Sequence, residues 1–380
     1  MKAYYSIESI EKIVCAEQVK VVSFDLFDTL LIRPSMNPTD IFYLLKNEVE
    51  SKYGLDFIGL RLHAEEEMKR DDAALSDIWN WIAQKNNLNL EISNALMKME
   101  LALEASLLTV REEILTIVRK AKQAGKRIIV TSDMYINGKE LLRILNQKGI
   151  NEIDALYVSC DCHARKSTGR LYEFVMKEEK IGHPSQIVHI GDNFQSDYQA
   201  ALEKGITAIY YPSIWDDILG KKQPWEGAMG RDATQDPYAR LMLSYAIFYT
   251  YLYNKRKLGE KRCFSNVKEI ASLYLGNILV AISLDLLNNQ EIRAQYDKIS
   301  FAARDGYLPK RIYDILATNH GLPSNYFQAS RQALSYTTYK DFFDYFANIP
   351  WKTVYLPYTL ENYIRYYIID VSLQEKILSS

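Results

Sequence analysis

Four short segments hold the residue types best suited to covalent chemistry. They are Phe24-Asp25-Leu26-Phe27-Asp28-Thr29-Leu30, Val130-Thr131-Ser132-Asp133, Arg165-Lys166-Ser167-Thr168-Gly169 and Ile190-Gly191-Asp192-Asn193-Phe194-Gln195-Ser196-Asp197. In chain order they offer a carboxylate, a hydroxyl, a lysine and a pair of acids. A carboxylate attacks phosphorus to give an acyl-phosphate, which divides one hard displacement into two easier steps. The phosphoryl group in flight spreads charge over its equatorial oxygens, so its site needs hydrogen-bond donors and positive charge. Ser132 offers a donor and Lys166 a point charge. Carboxylates gathered at one place repel one another and a phosphate dianion unless a cation lies among them. Magnesium suits that role, since it takes hard oxygen ligands in near-octahedral geometry.

For these segments to meet, the chain must bring several strand ends to one edge. The first half alternates short β-type runs, Val21–Phe24, Arg127–Thr131, Ala155–Ser159, Ile187–Ile190 and Ala208–Tyr211, with helical patterns such as Lys139–Gln147 and Leu171–Lys180. Strand–helix–strand units of this length predict an α/β fold with a parallel sheet covered on both faces. In such sheets the site lies at the carboxyl ends of the strands, and each of the four segments sits just past a run. One connection is far longer than the rest: after the first run the chain makes a largely helical insert, placed over the catalytic edge as a cap. The expected organisation is a core of residues 1–38 and 120–215, a helical cap of 39–119, a polar linker of 216–236 and a mostly helical α/β region of 237–380. That last region carries a strand–turn–helix–strand pattern: Lys298–Ala303, Arg304-Asp305-Gly306, Tyr307–Ala317 and Tyr326–Ala329.

The order acid, hydroxyl, lysine, acid pair on a parallel-sheet pattern resembles the haloacid dehalogenase-like (HAD) superfamily, whose four motifs carry these residue types in this order. The resemblance implies a Rossmann-like HAD fold. It makes Asp25 the nucleophile and places Mg²⁺ on Asp25, the backbone carbonyl of Phe27 and Asp192, with Asp197 supporting the metal, often through water. Ser132 and Lys166 then hold the phosphoryl group, with Thr131 and Asp133 beside the substrate. Thr131 and Ser132 are adjacent, and side chains alternate at a strand end, so only one hydroxyl should face the phosphate; Ser132 is preferred. The Phe-Asp-Leu-Phe-Asp-Thr-Leu-Leu form, with Ser132-Asp133-Met134-Tyr135, looks most like a bacterial subgroup tied to surface-polysaccharide synthesis and often joined to glycosyltransferases. Phe301-Ala302-Ala303-Arg304-Asp305-Gly306-Tyr307 and Ala329-Ser330-Arg331 look like its downstream signatures. The resemblance thus implies a hydrolase of a small phosphorylated metabolite, with capsule or other surface polysaccharide as its setting and a glycosyltransferase as a partner.

The pattern departs from the phosphatases at one point. They usually carry a second aspartate two residues after the nucleophile, as general acid and base, where this chain has Phe27. Such help is worth ~10²–10⁴-fold in rate. Asp28 is the substitute candidate, and the competing reading makes it a turn-former with Thr29. An aromatic at this position also occurs in the metal-free dehalogenase branch, which usually lacks the full acid pair. A third reading is a binding module that turns over little or nothing.

Other polar residues have plainer readings. Arg61 and Glu65, four apart on one helix face, either aim Arg61 at a substrate anion or form an ion pair. Cys160-Asp161-Cys162-His163 makes a poor tetrahedral chelate and reads as a loop. His189, inside a strand, reads as packed core. Arg304, after a strand and before a helix, suits an anion or a helix cap. Net charge is −2 over 380 residues, which gives no electrostatic case for nucleic acid. Four cysteines suit a reducing compartment. The start MKAYYSIESIEKIV has no apolar signal core, and the most apolar later stretch, Leu273–Leu287, is too short to span a bilayer and carries Asp285. The expectation is a cytoplasmic protein without a membrane span.

Overall fold

The computed structural model describes residues 5–68, 73–219, 237–254, 267, 271–303, 305–317, 321–328, 361 and 371–379. Two compact units divide the chain, Met1–Leu273 and Tyr274–Ser380.

The first unit is built on a parallel sheet of five strands: β1 (Val21–Phe24), β4 (Arg127–Ser132), β5 (Ala155–Val158), β6 (Ile187–Gly191) and β7 (Thr207–Tyr210), in the order β5-β4-β1-β6-β7. β1 lies at the centre and every one of its residues is buried, as a strand covered on both faces must be. Register carries the site. Phe24 is level with Val130 of β4 and Ile190 of β6, so Asp25, Thr131 and Gly191 stand side by side at the sheet's carboxyl edge. The α/β expectation therefore stands.

A tight turn follows β1. The amides of Leu30 and Leu31 donate to the Leu26 carbonyl at 2.9 and 2.8 Å, and Asp28 takes a left-handed conformation with φ 58°. Two short antiparallel strands, β2 (Leu31–Ile32) and β3 (Thr109–Val110), then pinch the insert at its entry and exit. Between them lie the helices Tyr43–Tyr53, Phe57–Glu67, Leu75–Asn86 and Leu90–Leu107. The insert is thus helical as expected, but it ends near residue 108 rather than 119. The helix Glu112–Gln123 packs on β4 and on the N-terminal helix Ile7–Val14, through its own buried face of Ile114, Ile117, Val118 and Ala121.

The helix Pro237–Asn254, expected in the second region, belongs to the first unit. Leu243, Ile247, Phe248 and Tyr251 form one apolar stripe that joins Ile32, Ile214 and Trp215 in a buried cluster. Arg240 pairs with Asp40 at 2.6 Å, and Ser244 Oγ accepts the Met36 amide at 3.0 Å. The expected linker, 220–236 in particular, lies outside the described residues, as do Arg304 and Arg331. In the second unit, β8 (Ile299–Ala302), the helix Tyr307–Leu316 and parallel β9 (Ser324–Phe327) reproduce the expected strand–helix–strand unit. No helix among the described residues is long and apolar enough to cross a membrane.

The cap is tied together by a buried charge network. Arg61 is fully buried and meets Glu100 through Nε at 3.0 Å and a terminal nitrogen at 2.9 Å; Glu65 takes the other terminal nitrogen at 2.9 Å. Trp79 Nε1 donates to the same Glu100 at 2.9 Å. Removing one partner of a buried pair leaves a charge that water cannot reach. Glu100→Ala should therefore lower stability by about 3–5 kcal/mol, read as a shift in the urea unfolding midpoint. An unchanged midpoint would mean the network holds nothing together.

Candidate active site

A cavity of about 530 Å³ opens between the sheet's carboxyl edge and the cap, with Asp25, Asp28, Ser132, Lys166, Asp192 and Asp197 among its lining residues. The four sequence segments therefore converge. Asp25 stands at the end of β1 and Asp192 one residue beyond β6. Asp197 rides on a π-helical turn, Phe194–Gln199, whose first amides are capped by the Asn193 side chain at 3.0 Å. Each of the three carboxylates offers an oxygen within 4.8 Å of the others.

Gly191 makes the close approach workable. A Cβ there would fall 2.3 Å from the Asp197 carboxyl carbon, so no side chain fits while Asp197 keeps its place.

Lys166 Nζ lies between two of the acids, 2.5 Å from Asp25 and 2.6 Å from Asp197. Its backbone amide is pinned by Asp133 Oδ1 at 2.8 Å. Asp197 accepts three hydrogen bonds. Oδ1 takes Lys166 and, at 3.3 Å, His189 Nε2, while Oδ2 takes the Asn193 amide at 2.9 Å. Beneath it runs a buried relay: His189 Nδ1 accepts from Ser23 Oγ at 2.8 Å, and Ser23 meets Thr131 Oγ1 at 2.8 Å. His189 is packed core, as expected, and also orients Asp197. Asp192 Oδ1 accepts from Thr29 Oγ1 at 3.2 Å.

Burial pushes the Asp25 carboxyl up to about 7, with Lys166 pulling it down and Asp197 pushing it further up. Burial, then Asp25, Asp28 and Asp197, raise Asp192 well above the carboxylate range. Burial would raise Asp197 too, but Lys166 and the His189 hydrogen bond outweigh it and hold this acid below that range. Lys166 is lowered by burial and lifted more by Asp197 and Asp25, so its ammonium stays charged. Burial lowers His189, which keeps the ring neutral, with Nε2–H facing Asp197. Asp25, which is buried, and Asp192, which is half-buried, are thus short of positive charge, and oxygen donors converge beside them. That donor set suits a hard divalent cation.

The hydroxyl choice has a structural answer. Ser132 lines the cavity, is buried, and its hydroxyl has no hydrogen-bond partner among the described residues, whereas the Thr131 hydroxyl is spent on Ser23 and stays out of the cavity wall. Thr131 therefore does not meet the expectation that it sits beside substrate. Neither does Arg61: its guanidinium is consumed by Glu100 and Glu65 and lies over the Phe42 and Tyr135 rings. Asp133 does line the cavity, although one of its oxygens is occupied by the Lys166 amide. Asp28, half-buried on the cavity wall, accepts from Trp215 Nε1 at 3.2 Å; burial raises its carboxyl against the pull of Arg33. Burial lifts the Cys160 and Cys162 thiols to about 12 and about 11, which disfavours the thiolates a zinc site needs.

Sequence reasoning missed Thr29, Arg33 and Trp215. Arg33 had one signal, a lone charge closing the apolar run Leu30-Leu31-Ile32.

Residues 19–205 match the family model of haloacid dehalogenase-like hydrolases. The match takes in all four segments and covers just under half of the chain. Among solved structures, it is similar to a 2-haloacid dehalogenase from Pseudomonas syringae pv. Tomato DC3000 (15% identity over 54% of this chain and 90% of that one, TM-score 0.41). It is also similar to a HAD phosphatase from Thermococcus onnurineus (18% identity, 50% and 86%, TM-score 0.37). A HAD family enzyme from Bacteroides thetaiotaomicron gives 12% identity, 56% and 99% coverage, and a TM-score of 0.38. Comparison with curated proteins gives no match.

Two outcomes follow from this geometry. Gly191→Ala should displace Asp197 and weaken divalent-cation binding about tenfold or more, measured by titration calorimetry. A cation must also displace the proton that Asp25 holds below about 7. Affinity for Mg²⁺ should therefore fall as pH drops from about 8 to about 6; a flat profile would show that Asp25 is not a ligand.

Proposed function

We propose that the chain is a magnesium-dependent phosphatase of a small phosphorylated metabolite in the sugar or polyol phosphate class. The observation that carries this reading is the convergence of Asp25, Asp192 and Asp197 within 4.8 Å, with the Lys166 ammonium against two of them. Asp25, Asp192 and the Phe27 carbonyl are the proposed ligands, and Asp197, with three of its acceptor sites in use, would support the ion through water. When bound, Mg²⁺ would neutralise the carboxylates and the phosphoryl oxygens together.

Each residue then has a task. An Asp25 oxygen attacks phosphorus while the bond from phosphorus to the leaving oxygen breaks. Lys166 and the free hydroxyl of Ser132 hold equatorial oxygens of the phosphoryl group. Asp28 takes the place of the missing acid: burial favours its protonated form, so it delivers a proton to the leaving oxygen. It then accepts a proton from the water that cleaves the aspartyl-phosphate. Phe27 closes that side of the cavity and excludes bulk water.

One observation favours a second reading. Phe27 removes the usual acid, which suits a module that binds a phosphorylated ligand without turning it over. A metal-free dehalogenase would instead release halide from a haloacid in the presence of a chelator. The surface-polysaccharide setting and a cytoplasmic site of action remain part of the proposal. The family match ends at residue 205, and no comparison supports a glycosyltransferase partner.

Phosphate release from a panel of sugar and polyol phosphates decides between these readings. Wild type should turn over at least one with Mg²⁺ and stop on chelation, and Asp25→Asn should be inactive. Asp28→Asn should slow turnover by about 10²-fold or more. Equal release by wild type and Asp25→Asn would end the proposal, and ligand and Mg²⁺ binding with no turnover would favour the binding module.

A further inference from the structure

Arg33 has no assigned task in the chemistry above, and its surroundings are unusual. It lies just after β2, at the mouth of the insert, and lines the same cavity as Asp25 and Asp28. It is only 4% exposed. Its Nε donates to Glu104 at 2.6 Å, and its guanidinium carbon sits 4.0 Å from the centre of the Phe27 ring. Neither terminal nitrogen has a hydrogen-bond partner among the described residues.

The other two buried arginines among the described residues of this unit differ. Arg61 spends Nε and both terminal nitrogens on carboxylates. Arg111 spends Nε on Glu113 and its terminal nitrogens on the carbonyls of Asp28 and Pro212, at 2.8 and 3.0 Å. Buried donors are almost always satisfied, and exceptions call for a ligand or water. Arg33 keeps a planar fork open on a cavity wall, and such a fork matches a carboxylate or phosphate with two parallel hydrogen bonds. Glu104 and the Phe27 ring fix the plane of the fork in advance. Phe27 therefore does more than leave out an acid, because its face carries this cation.

We propose that Arg33 binds a second anionic group, carboxylate or phosphate, on the leaving-group part of the substrate. The preferred ligand is then a phosphorylated sugar acid or a bisphosphate rather than a neutral polyol phosphate. This inference rests on the phosphatase reading for its first anion, and a binding measurement separates the two.

In the presence of Mg²⁺, calorimetry on the wild-type chain would compare propylphosphonate with phosphonopropionate and with propylenebisphosphonate. At least one of the doubly anionic probes should bind about tenfold more tightly or better, and which one does so identifies the second group. Arg33→Lys keeps the charge facing Glu104 and loses the fork, so it should abolish most of that preference while leaving propylphosphonate affinity unchanged. Arg33→Met with Glu104→Gln removes both charges of the pair and should abolish the preference fully; its urea midpoint checks that it folds. Equal binding of all three probes by wild type, or a preference that survives both variants, overturns the proposal. If the chain shows the preference but releases no phosphate from any ester, the phosphatase reading fails and the role of Arg33 stands.

Discussion

Buried at the end of a parallel sheet, the Lys166 ammonium touches Asp25 at 2.5 Å and Asp197 at 2.6 Å. The rest of the site depends on this contact. Three carboxylates cannot share so small a volume without cations, and here one cation comes from the chain itself. It reaches only two of the acids directly. Asp192 is left without that contact, and burial, with the carboxyls around it, raises it well above the ordinary carboxylate range. The sheet register, the absent side chain at Gly191 and the Asp133 contact to the Lys166 amide all hold this arrangement in place.

Burial does different work on the two sides of the cavity. On the sheet side it raises Asp25 and Asp192, which favours their protonated forms. In the cap and at its two-stranded base it forces arginines to find partners. Arg61 and Arg111 do so completely and stitch elements together, while Arg33 does so in part. Phe27 lies where the two sides meet. Its ring stands in place of the carboxyl typical of phosphatases, and Asp28, with φ 58° and the Trp215 indole on its carboxylate, lies beside it on the same wall.

Much of this was legible in the sequence, for physical reasons. Strands covered on both faces read as continuous apolar runs, so β1, β4, β5, β6 and β7 could be found from residue type. Their carboxyl ends then named Asp25, Ser132, Lys166 and Asp192. What the sequence hid depends on contacts distant along the chain. The stripe Leu243, Ile247, Phe248 and Tyr251 predicts an amphipathic helix, but not that its apolar face joins Ile32 and Trp215 in the first unit. Glu112–Gln123 reads as helix whether it belongs to cap or core. Arg61 and Arg33 look alike as lone charges on apolar segments; only the positions of Glu100, Glu65 and Glu104 show that one guanidinium is used up and the other is not.

The proposed chemistry requires one divalent cation among carboxylates from two different strand ends. Anomalous diffraction from crystals grown with Mn²⁺ tests it most directly. A single strong peak should appear at coordination distance, about 2.1 Å for a Mg²⁺-type site, from oxygens of both Asp25 and Asp192. A peak elsewhere, or no peak while Lys166 still bridges Asp25 and Asp197, would contradict it.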